Sequence, residues 1–335
     1  MTQHRSGLSA AVLACALALS GCGGGGGDSS PNNPQPPASS MLGITASNYQ
    51  AVGQATVSSA LFLNDTGGTL TGAEAGDARL LRSAMGVTRR VLGNVSVGAA
   101  VLAGAEVRDT VACSEGGSLL LSVNDANNNG NFDLGESITV DAQACKEDGT
   151  LMQGRIGLSM QTLTGVFGSS NYSATLAMTL TGFVTTTGND SVQGDGTLTL
   201  SMSQTSAATE LTLATTRLAL SGRTAGQPYN LTLTDTRLTV RVGTSGGVSQ
   251  ASITYNSTLA SSGLGDKQVS ITTLQPLLAT GTDAYPSSGQ LLVKGDAGST
   301  LRITAINATQ VRLELDTGGD GTFETSVVKT WAELE

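Results

Sequence analysis

The chain has 335 residues, and its 26 acidic residues outnumber its 17 basic ones to give a formal net charge of −9. With an isoelectric point near 4.6, it is a poor partner for nucleic acid and anionic lipid head groups, which attract basic proteins. We therefore expect no nucleic acid binding.

The first 21 residues have the pattern of a bacterial export signal. Arg5 is followed by a 12-residue apolar run, residues 8–19, which is shorter than the roughly 20 residues of a membrane-spanning helix. The run ends in Leu-Ser-Gly-Cys, residues 19–22, which resembles the lipobox of bacterial lipoproteins. The resemblance implies removal of residues 1–21, lipid attachment to Cys22 and, because Gly follows Cys22, sorting to the outer membrane. An ordinary signal peptide cut nearby is the alternative.

Cleavage at this point would also remove the only histidine, His4, together with Arg5. The remaining chain would then have 16 basic and 26 acidic residues. Without histidine, Ser-His and Cys-His nucleophiles and His-ligated zinc are excluded. We therefore expect that the protein is not an enzyme.

The remaining chain divides by composition into a tether, a helical segment and a β region. Residues 22–40 are rich in Gly, Ser, Asn and Pro and are expected to be a flexible tether behind the lipid. Residues 41–112 are predicted to be helical. They form a single domain with the β region, residues 113–335.

Two amphipathic helices are predicted in the helical segment. The first covers residues 44–64, with Thr45 or Ser47 as its cap. The second covers residues 77–92, where Gly follows the end and arginines lie off the apolar stripe. The predicted buried residues are Tyr49, Val52, Gly53, Val57, Ala60 and Leu61 in the first helix, and Leu80, Ala84, Val87 and Val91 in the second.

From residue 117 onward the hydrophobic period becomes two, which is typical of antiparallel strands with one buried face. About ten strands follow one another without a helical crossover. We predict a mainly β fold: a large curved antiparallel meander sheet (half-barrel-like) with the two N-terminal helices packed on it. A repeat solenoid is the alternative, although the chain has no fixed period of roughly 20 to 50 residues.

Residues 125–136, DANNNGNFDLGE, match the template of a calcium-binding loop. Gly130 occupies the position where the backbone bends sharply, and strand-like flanks replace the two helices of an EF-hand. We predict Ca²⁺ as a weakly bound cofactor, with a dissociation constant of about 10⁻⁴ to 10⁻³ M. A polar hairpin tip without an ion is the alternative. The predicted ligands, at loop positions 1, 3, 5, 7, 9 and 12, are Asp125, Asn127, Asn129, Asn131 (through its carbonyl), Asp133 and Glu136.

Cys113 and Cys145 bracket this loop, and an exported pair is expected to form a disulfide. If the two cysteines lie opposite each other in an antiparallel pair, the same register places Leu121 opposite Ser137. A disulfide and an ion would then hold the two ends of one hairpin. Two free buried thiols are the alternative.

A second segment, Asp316 to Glu324, matches the calcium template only in part. Asp316, Asp320 and Glu324 fall on positions 1, 5 and 9, but Gly318 has no side-chain ligand and Val327 falls on position 12. We predict a tight β-turn, with calcium as the alternative.

Nearly the whole chain resembles a group of uncharacterised proteobacterial lipoproteins. The resemblance is carried by the lipobox, by ITASNYQAV near the start, by CSEGGSLLLSVNDANNNG with its later cysteine, and by LELDTGGDGTFETSVVKTWAEL at the end. It implies the architecture and no activity.

The first functional hypothesis is a lipid-anchored binding or structural protein of the cell envelope, stabilised by calcium. It would be anchored in the bacterial outer membrane with its body in the periplasm or on the cell surface, where an envelope protein is one expected partner. The second hypothesis is a carrier of a hydrophobic or lipid ligand in a cavity of the curved sheet. An enzyme that uses paired carboxylates is the third, but the acids in the β region form no recognisable pair.

Overall fold

A computed structural model describes residues 40–66, 80, 83–84, 86–88, 107–127, 129, 132–166, 169–281 and 283–334. Within these residues the protein is mainly β, with one open antiparallel meander of fourteen strands in chain order. This confirms the predicted fold class, although four more strands are present than the ten predicted. The strands are β1 Val107–Ala112, β2 Ser118–Asn124, β3 Ser137–Glu147, β4 Thr150–Gly165, β5 Tyr172–Thr187, β6 Asp190–Gln204, β7 Ala208–Thr224, β8 Gln227–Ser245, β9 Val248–Ser261, β10 Lys267–Thr280, β11 Ser288–Lys294, β12 Thr300–Asn307, β13 Gln310–Asp316 and β14 Thr325–Thr330.

The alternating sequence explains why one face of the sheet is dry. In β5, Leu176 and Met178 are buried, whereas Thr179 and Thr181 on the other face are exposed. Burial of one aliphatic side chain stabilises the fold by about 1.5 to 3 kcal/mol, so each long strand contributes through its Leu, Val, Ile and Met positions. The inner face therefore forms one continuous core.

The sheet curves because β-bulges interrupt many of its ladders. At Gly154 in β4 the φ angle is 96°, and a Cβ atom there would collide with the carbonyl oxygen of Gly182 in β5. Asp235 in β8 has a φ angle of 47° and lies where the register with β9 shifts. Each bulge bends its strand, and together they make the inner face concave.

The first predicted helix is present as α1, Tyr49–Thr66. It begins later than residue 44 because residues 46–48 form a turn, in which Asn48 Oδ1 accepts a hydrogen bond from the backbone N–H of Thr45 (2.8 Å). The hydroxyls of Thr45 and Ser47 bond to each other instead (2.9 Å). The predicted caps are therefore wrong, because the helix starts after both of them.

Both predicted helices place their apolar residues on the concave face. In α1, Val52 and Val57 are buried, and a Cβ atom on Gly53 would lie 3.0 Å from Leu313 of β13. Residues 80, 83–84 and 86–88 are helical, and their apolar members Leu80, Ala84 and Val87 are buried, as predicted. The side chain of Leu61, residue 91 and most of the remaining second helix lie outside the described residues.

The C-terminal end of the segment that was predicted to be helical also differs from the prediction. Residues 41–112 were expected to be helical, but Val107–Ala112 is a strand that pairs with β2. Among the described residues, no helix combines the length and the hydropathy needed to cross a bilayer. Residues 1–21, Cys22 and the tether as far as residue 39 lie outside the described part.

The chain enters the sheet at a defined point. The backbone N–H of Leu42 donates to the carbonyl of Gln268 (2.8 Å), and the N–H of Gln268 donates to the carbonyl of Ser40 (3.0 Å). Gln268 lies in β10 just after the β9–β10 connection. Successive connections of a meander alternate between the two ends of the sheet, so the β2–β3 loop lies at the end opposite this entry point.

Candidate metal centre

The candidate calcium loop joins β2 to β3, as predicted. These strands pair up to Asn124 and Ser137, which leaves residues 125–136 as the loop. The predicted register is wrong, because Leu121 lies opposite Val140 and not opposite Ser137. The hairpin is therefore shifted by three residues from the prediction.

The disulfide between Cys113 and Cys145 is confirmed, with 5.4 Å between the Cα atoms. It does not join opposed residues of one pair, and this explains the error in register. Cys113 lies in the turn between β1 and β2, and Cys145 follows Ala144, whose φ angle is 50° at a bulge of β3. The bridge therefore fastens the β1–β2 turn to β3, at the end of the hairpin away from the loop.

The two ends of the loop place carboxylates at its base. Asp125 directly follows β2 and is 8% exposed, and Glu136 directly precedes β3 and is 1% exposed. Phe132 is buried within the loop. Met160 of β4 donates its N–H to the carbonyl of Glu136 and accepts a bond from the N–H of Gly135, both at 3.1 Å. The loop base is thus held by a neighbouring strand.

Glu136 is a buried carboxylate that is only half satisfied. Its Oε2 accepts a hydrogen bond from the backbone N–H of Asp133 (2.8 Å). Its Oε1 is fully buried and has no hydrogen-bond partner in the described part of the chain. A buried carboxylate oxygen without a hydrogen-bond donor destabilises the folded state, so we expect a cation or a donor beside Oε1.

The other described ligands converge on Asp133. Its Oδ2 accepts bonds from Nδ2 of Asn127 (3.1 Å) and of Asn129 (2.6 Å). A half-turn of either amide group would present Oδ1 in place of Nδ2, which is the atom that Ca²⁺ requires. Gly130 and Asn131 lie outside the described residues. The structure thus links four predicted ligands by hydrogen bonds and places Asp125 at the loop base.

The second candidate segment joins β13 to β14, and Asp316 is its organising residue. Asp316 is 2% exposed, and its Oδ1 accepts hydrogen bonds from the N–H groups of Gly318 (3.1 Å) and Gly319 (2.6 Å). Its Oδ2 accepts one from Gly321 (2.9 Å). Burial alone would raise the pKa of Asp316, but these backbone donors outweigh it and lower the pKa.

The other two acids of this segment also bond to the backbone. Asp320 accepts the N–H of Thr322 (2.7 Å), and Glu324 accepts the N–H of Thr317 (3.0 Å). Each of Asp316, Asp320 and Glu324 offers an oxygen within 4.8 Å of the others, an arrangement that the described acids of the first loop do not reach. The predicted tight β-turn is wrong, because β13 ends at Asp316 and β14 begins at Thr325, and residues 317–324 join them through bends without a hydrogen-bonded turn. The acids of this connection accept backbone N–H groups.

A small apolar pocket lies between α1 and the last third of the sheet. Its empty volume is about 330 Å³, including the part open to solvent. Trp331 and Tyr285 stack near it, with ring centroids 6.1 Å apart. The pocket is lined by Val57, Ala60, Ile253, Leu277, Pro286, Leu291 and Trp331.

Two acids of the β region, Asp190 and Asp195, accept hydrogen bonds from backbone N–H groups of neighbouring strands and turns. Asp190 accepts the N–H of Ala225 (2.8 Å), and Asp195 accepts the N–H of Gly182 (2.7 Å). Neither contact forms a carboxylate pair. Both resemble the contacts of Asp316 in that an acid satisfies a backbone donor in a strained segment.

The prediction from sequence missed a cluster of buried hydroxyl groups under α1. The signal for it was a break in the alternation of β7 and β8. Buried leucines there are five residues apart, from Leu213 to Leu218 and from Leu233 to Leu238, where a regular strand requires an even number. An odd spacing indicates a bulge, which turns an extra residue toward the core. The clustered hydroxyls belong to Ser59, Thr215, Thr236, Tyr255 and Ser257.

Comparison with protein-family models, curated proteins and solved structures gave no match to this chain. Function is therefore inferred from the site and the sequence.

Proposed function

We propose that the protein is a lipid-anchored component of the bacterial cell envelope with a binding or structural role, and that the loop at residues 125–136 binds Ca²⁺. The single observation that carries the calcium proposal is Glu136. Its side chain is 1% exposed, and Oε1 has no hydrogen-bond partner among the described residues.

Calcium fits this arrangement because it is a hard cation that takes six to eight oxygen ligands at flexible distances. Glu136 would supply one carboxylate from the loop base and Asp125 another. Asp133, Asn127 and Asn129 would supply oxygens from the rest of the loop. The two backbone hydrogen bonds to Met160 favour binding, because they hold the base of the loop before the ion arrives.

Isothermal titration of the purified protein with CaCl₂ tests this proposal. We expect one site with a dissociation constant of about 10⁻⁴ to 10⁻³ M. Glu136→Gln should abolish the binding heat, and the matched control Glu324→Gln in the second segment should leave it unchanged. Absence of heat at about 10 mM calcium, ten times the weakest expected constant, would reduce the loop to a polar hairpin tip.

The anchor rests on the lipobox and is tested separately. Wild-type protein expressed in a Gram-negative host should incorporate labelled palmitate and sediment with outer membranes. Cys22→Ser should lose the label, and the variant should no longer be processed at this point. A mature wild-type protein that is soluble and unlabelled would overturn the anchor without affecting the calcium proposal.

The second candidate function is the carriage of a small hydrophobic ligand, and the apolar pocket is the place where such a ligand would bind. The space that water-sized molecules can occupy there is about 20 Å³, well below the roughly 300 Å³ of small-molecule sites, so a ligand would have to widen the pocket. Solvent extraction and mass spectrometry of the protein purified from its native envelope test this function. A co-purifying ligand that is lost on Ala60→Phe, a change that fills the pocket, would favour the carrier, and a clean spectrum would exclude it.

A further inference from the structure

Bulges in β7 and β8 bring hydroxyl groups into the apolar core beside a buried serine of β9. Thr215 of β7 and Thr236 of β8 are paired across their strands, and both are buried, with exposures of 7% and 3%. Ser257 of β9 is 4% exposed and lies opposite the register shift between Thr234 and Arg237, which contains Thr236. Three hydroxyls therefore adjoin one another on the face that elsewhere carries aliphatic side chains.

Most of this cluster is joined by hydrogen bonds that extend to α1. Thr236 Oγ1 and Ser257 Oγ are 2.6 Å apart, and Thr236 also donates to the carbonyl of Thr234 (3.3 Å). The hydroxyl of Tyr255, which is fully buried, donates to Ser59 Oγ of α1 (3.0 Å) and is also hydrogen-bonded to Ser257, which joins it to the first pair. Ser59 in turn donates to the carbonyl of Thr56 (2.9 Å). The cluster is thus a polar joint between the helix and the sheet.

Thr215 is the exception. Its Oγ1 is fully buried and has no hydrogen-bond partner within the described ranges, although Thr236 lies opposite on the next strand. A buried hydroxyl has one proton to donate and two lone pairs to fill, and leaving them unmet destabilises the folded state. The group that completes this cluster must donate and accept at the same time.

We propose that an ordered internal water molecule binds at Thr215 and bridges its Oγ1 to the Thr236–Ser257 hydroxyl pair. Water is the smallest molecule that both donates and accepts, and buried waters in proteins bind where two to four polar groups converge. The bridge would link Thr215 to the chain of bonds that ends in α1. The polar joint would then fix the position of α1 over β7, β8 and β9.

A high-resolution crystal structure and denaturation of two variants test the site. We expect density for a water molecule within hydrogen-bond distance of Thr215 Oγ1 and of Thr236 or Ser257. Thr215→Val should raise the unfolding equilibrium constant about tenfold, because the water loses a partner. The matched control Thr232→Val, on the opposite face of β8, should change that constant by less than about threefold.

A gain in stability on Thr215→Val would contradict the proposal. If Thr215 carries a genuinely unmet hydroxyl, valine removes an unfavourable group, and the variant becomes more stable than the wild type. That result, or the absence of density at this position, would overturn the proposal. Thr215→Ser keeps the hydroxyl and should keep the water, so its crystal structure decides the question if the valine variant does not fold.

Discussion

The loop at residues 125–136 and the segment at residues 316–324 differ in how their carboxylates are satisfied. Both join neighbouring antiparallel strands, and both place acids and glycines at the spacing of a calcium loop. In the second, backbone N–H groups fill both oxygens of Asp316. In the first, Oε1 of Glu136 is buried with no partner in the described part of the loop.

The comparison indicates that the distance between acidic side chains predicts an ion site less well than the number of hydrogen bonds that their oxygens already accept. The acids of the second segment are the more tightly grouped, yet Asp316 already has the donors that a buried carboxylate needs. Among the described residues of the first loop, Glu136 accepts one backbone N–H group, that of Asp133. We therefore propose that the second segment is a clamp, which stabilises its own loop, and that the first loop binds an ion.

The largest expected effect concerns the covalent link that only the first hairpin has. Replacing both cysteines, Cys113→Ser with Cys145→Ser, should lower the free energy of unfolding by about 3 to 4 kcal/mol, because the bridge closes a chain segment of 32 residues. Denaturation in EDTA measures this change. Hydrogen exchange should accelerate in β1 to β3 and remain unchanged in β13 and β14. Equal acceleration in both hairpins would contradict a local role for the bridge.

The second prediction is that calcium reverses the effect of Glu136→Gln on the free energy of unfolding. In EDTA, Glu136→Gln should be more stable than the wild type by about 1 kcal/mol, because it removes a buried carboxylate whose Oε1 has no hydrogen-bond partner among the described residues. In about 10 mM calcium the order should reverse. The wild type should gain about 1.4 to 2.7 kcal/mol by ligand linkage, and the variant should gain nothing. Thermal unfolding in both buffers measures the reversal.

Glu324→Gln is the control for this experiment. Its carboxylate lies in the clamp of the second segment, so calcium should stabilise this variant as much as it stabilises the wild type. A calcium-dependent gain that disappears in Glu324→Gln and persists in Glu136→Gln would reverse the assignment of the two segments.

Much of the fold could be predicted because a period of two over long segments is compatible with only one kind of element. The same pattern identified the strands on either side of the 125–136 loop, and the export expected from the N-terminal sequence implied the Cys113–Cys145 bridge. Helical periodicity identified Leu80 and Val87 as buried. These features depend on the local sequence pattern, which can be interpreted without a structure.

The remaining features depend on backbone conformation, which the sequence encodes less directly. The register of the first hairpin was wrong because Cys113 lies in a turn. The sequence indicates β4 and β10 only weakly, because Gly154 and Gly157 interrupt the alternation of β4 and Pro276 interrupts that of β10. The satisfaction of Asp316 depends on left-handed glycines such as Gly319, with a φ angle of 71°. Composition cannot show where such an N–H group points.

The third prediction tests the clamp by pH. The folded-state pKa of Asp316 is lowered from its ordinary value of 3.8, so the unfolded chain takes up its proton first as the pH falls. The stability that Asp316 contributes is therefore complete above pH 3.8 and is lost as the pH falls through the lower folded value. Asp316→Asn should be less stable at pH 7, and its stability should depend less on pH below 3.8.

Denaturation of both proteins in EDTA, from pH 7 to the start of acid unfolding, measures this difference. Calcium should not change it, because the clamp needs no ion. A deficit in Asp316→Asn that appears only when calcium is present would show that the second segment binds the metal after all.

The smallest expected effect tests whether the same backbone bonds matter at an exposed acid. Glu333, which is half exposed, accepts the N–H of Thr330 (2.8 Å) and the Thr330 hydroxyl (2.9 Å) and pairs with Lys329. These contacts lower its pKa from 4.5 to about 2, so its contribution is present above pH 4.5 and is lost between pH 4.5 and about 2. Glu333→Gln should reduce the pH dependence of the free energy of unfolding in this range, and the reduction should be smaller than the one that Asp316→Asn causes below pH 3.8.

Salt distinguishes the two carboxylates further. Water and ions screen an exposed group, so about 1 M NaCl should reduce the effect of Glu333→Gln. The buried Asp316 is bonded mainly to neutral N–H groups, and the effect of Asp316→Asn should survive the salt. If both effects vanish together, the distinguishing factor at Asp316 is net charge and not backbone donors. The proposed difference between Asp316 and Glu136, that backbone N–H groups satisfy the first and not the second, would then be wrong.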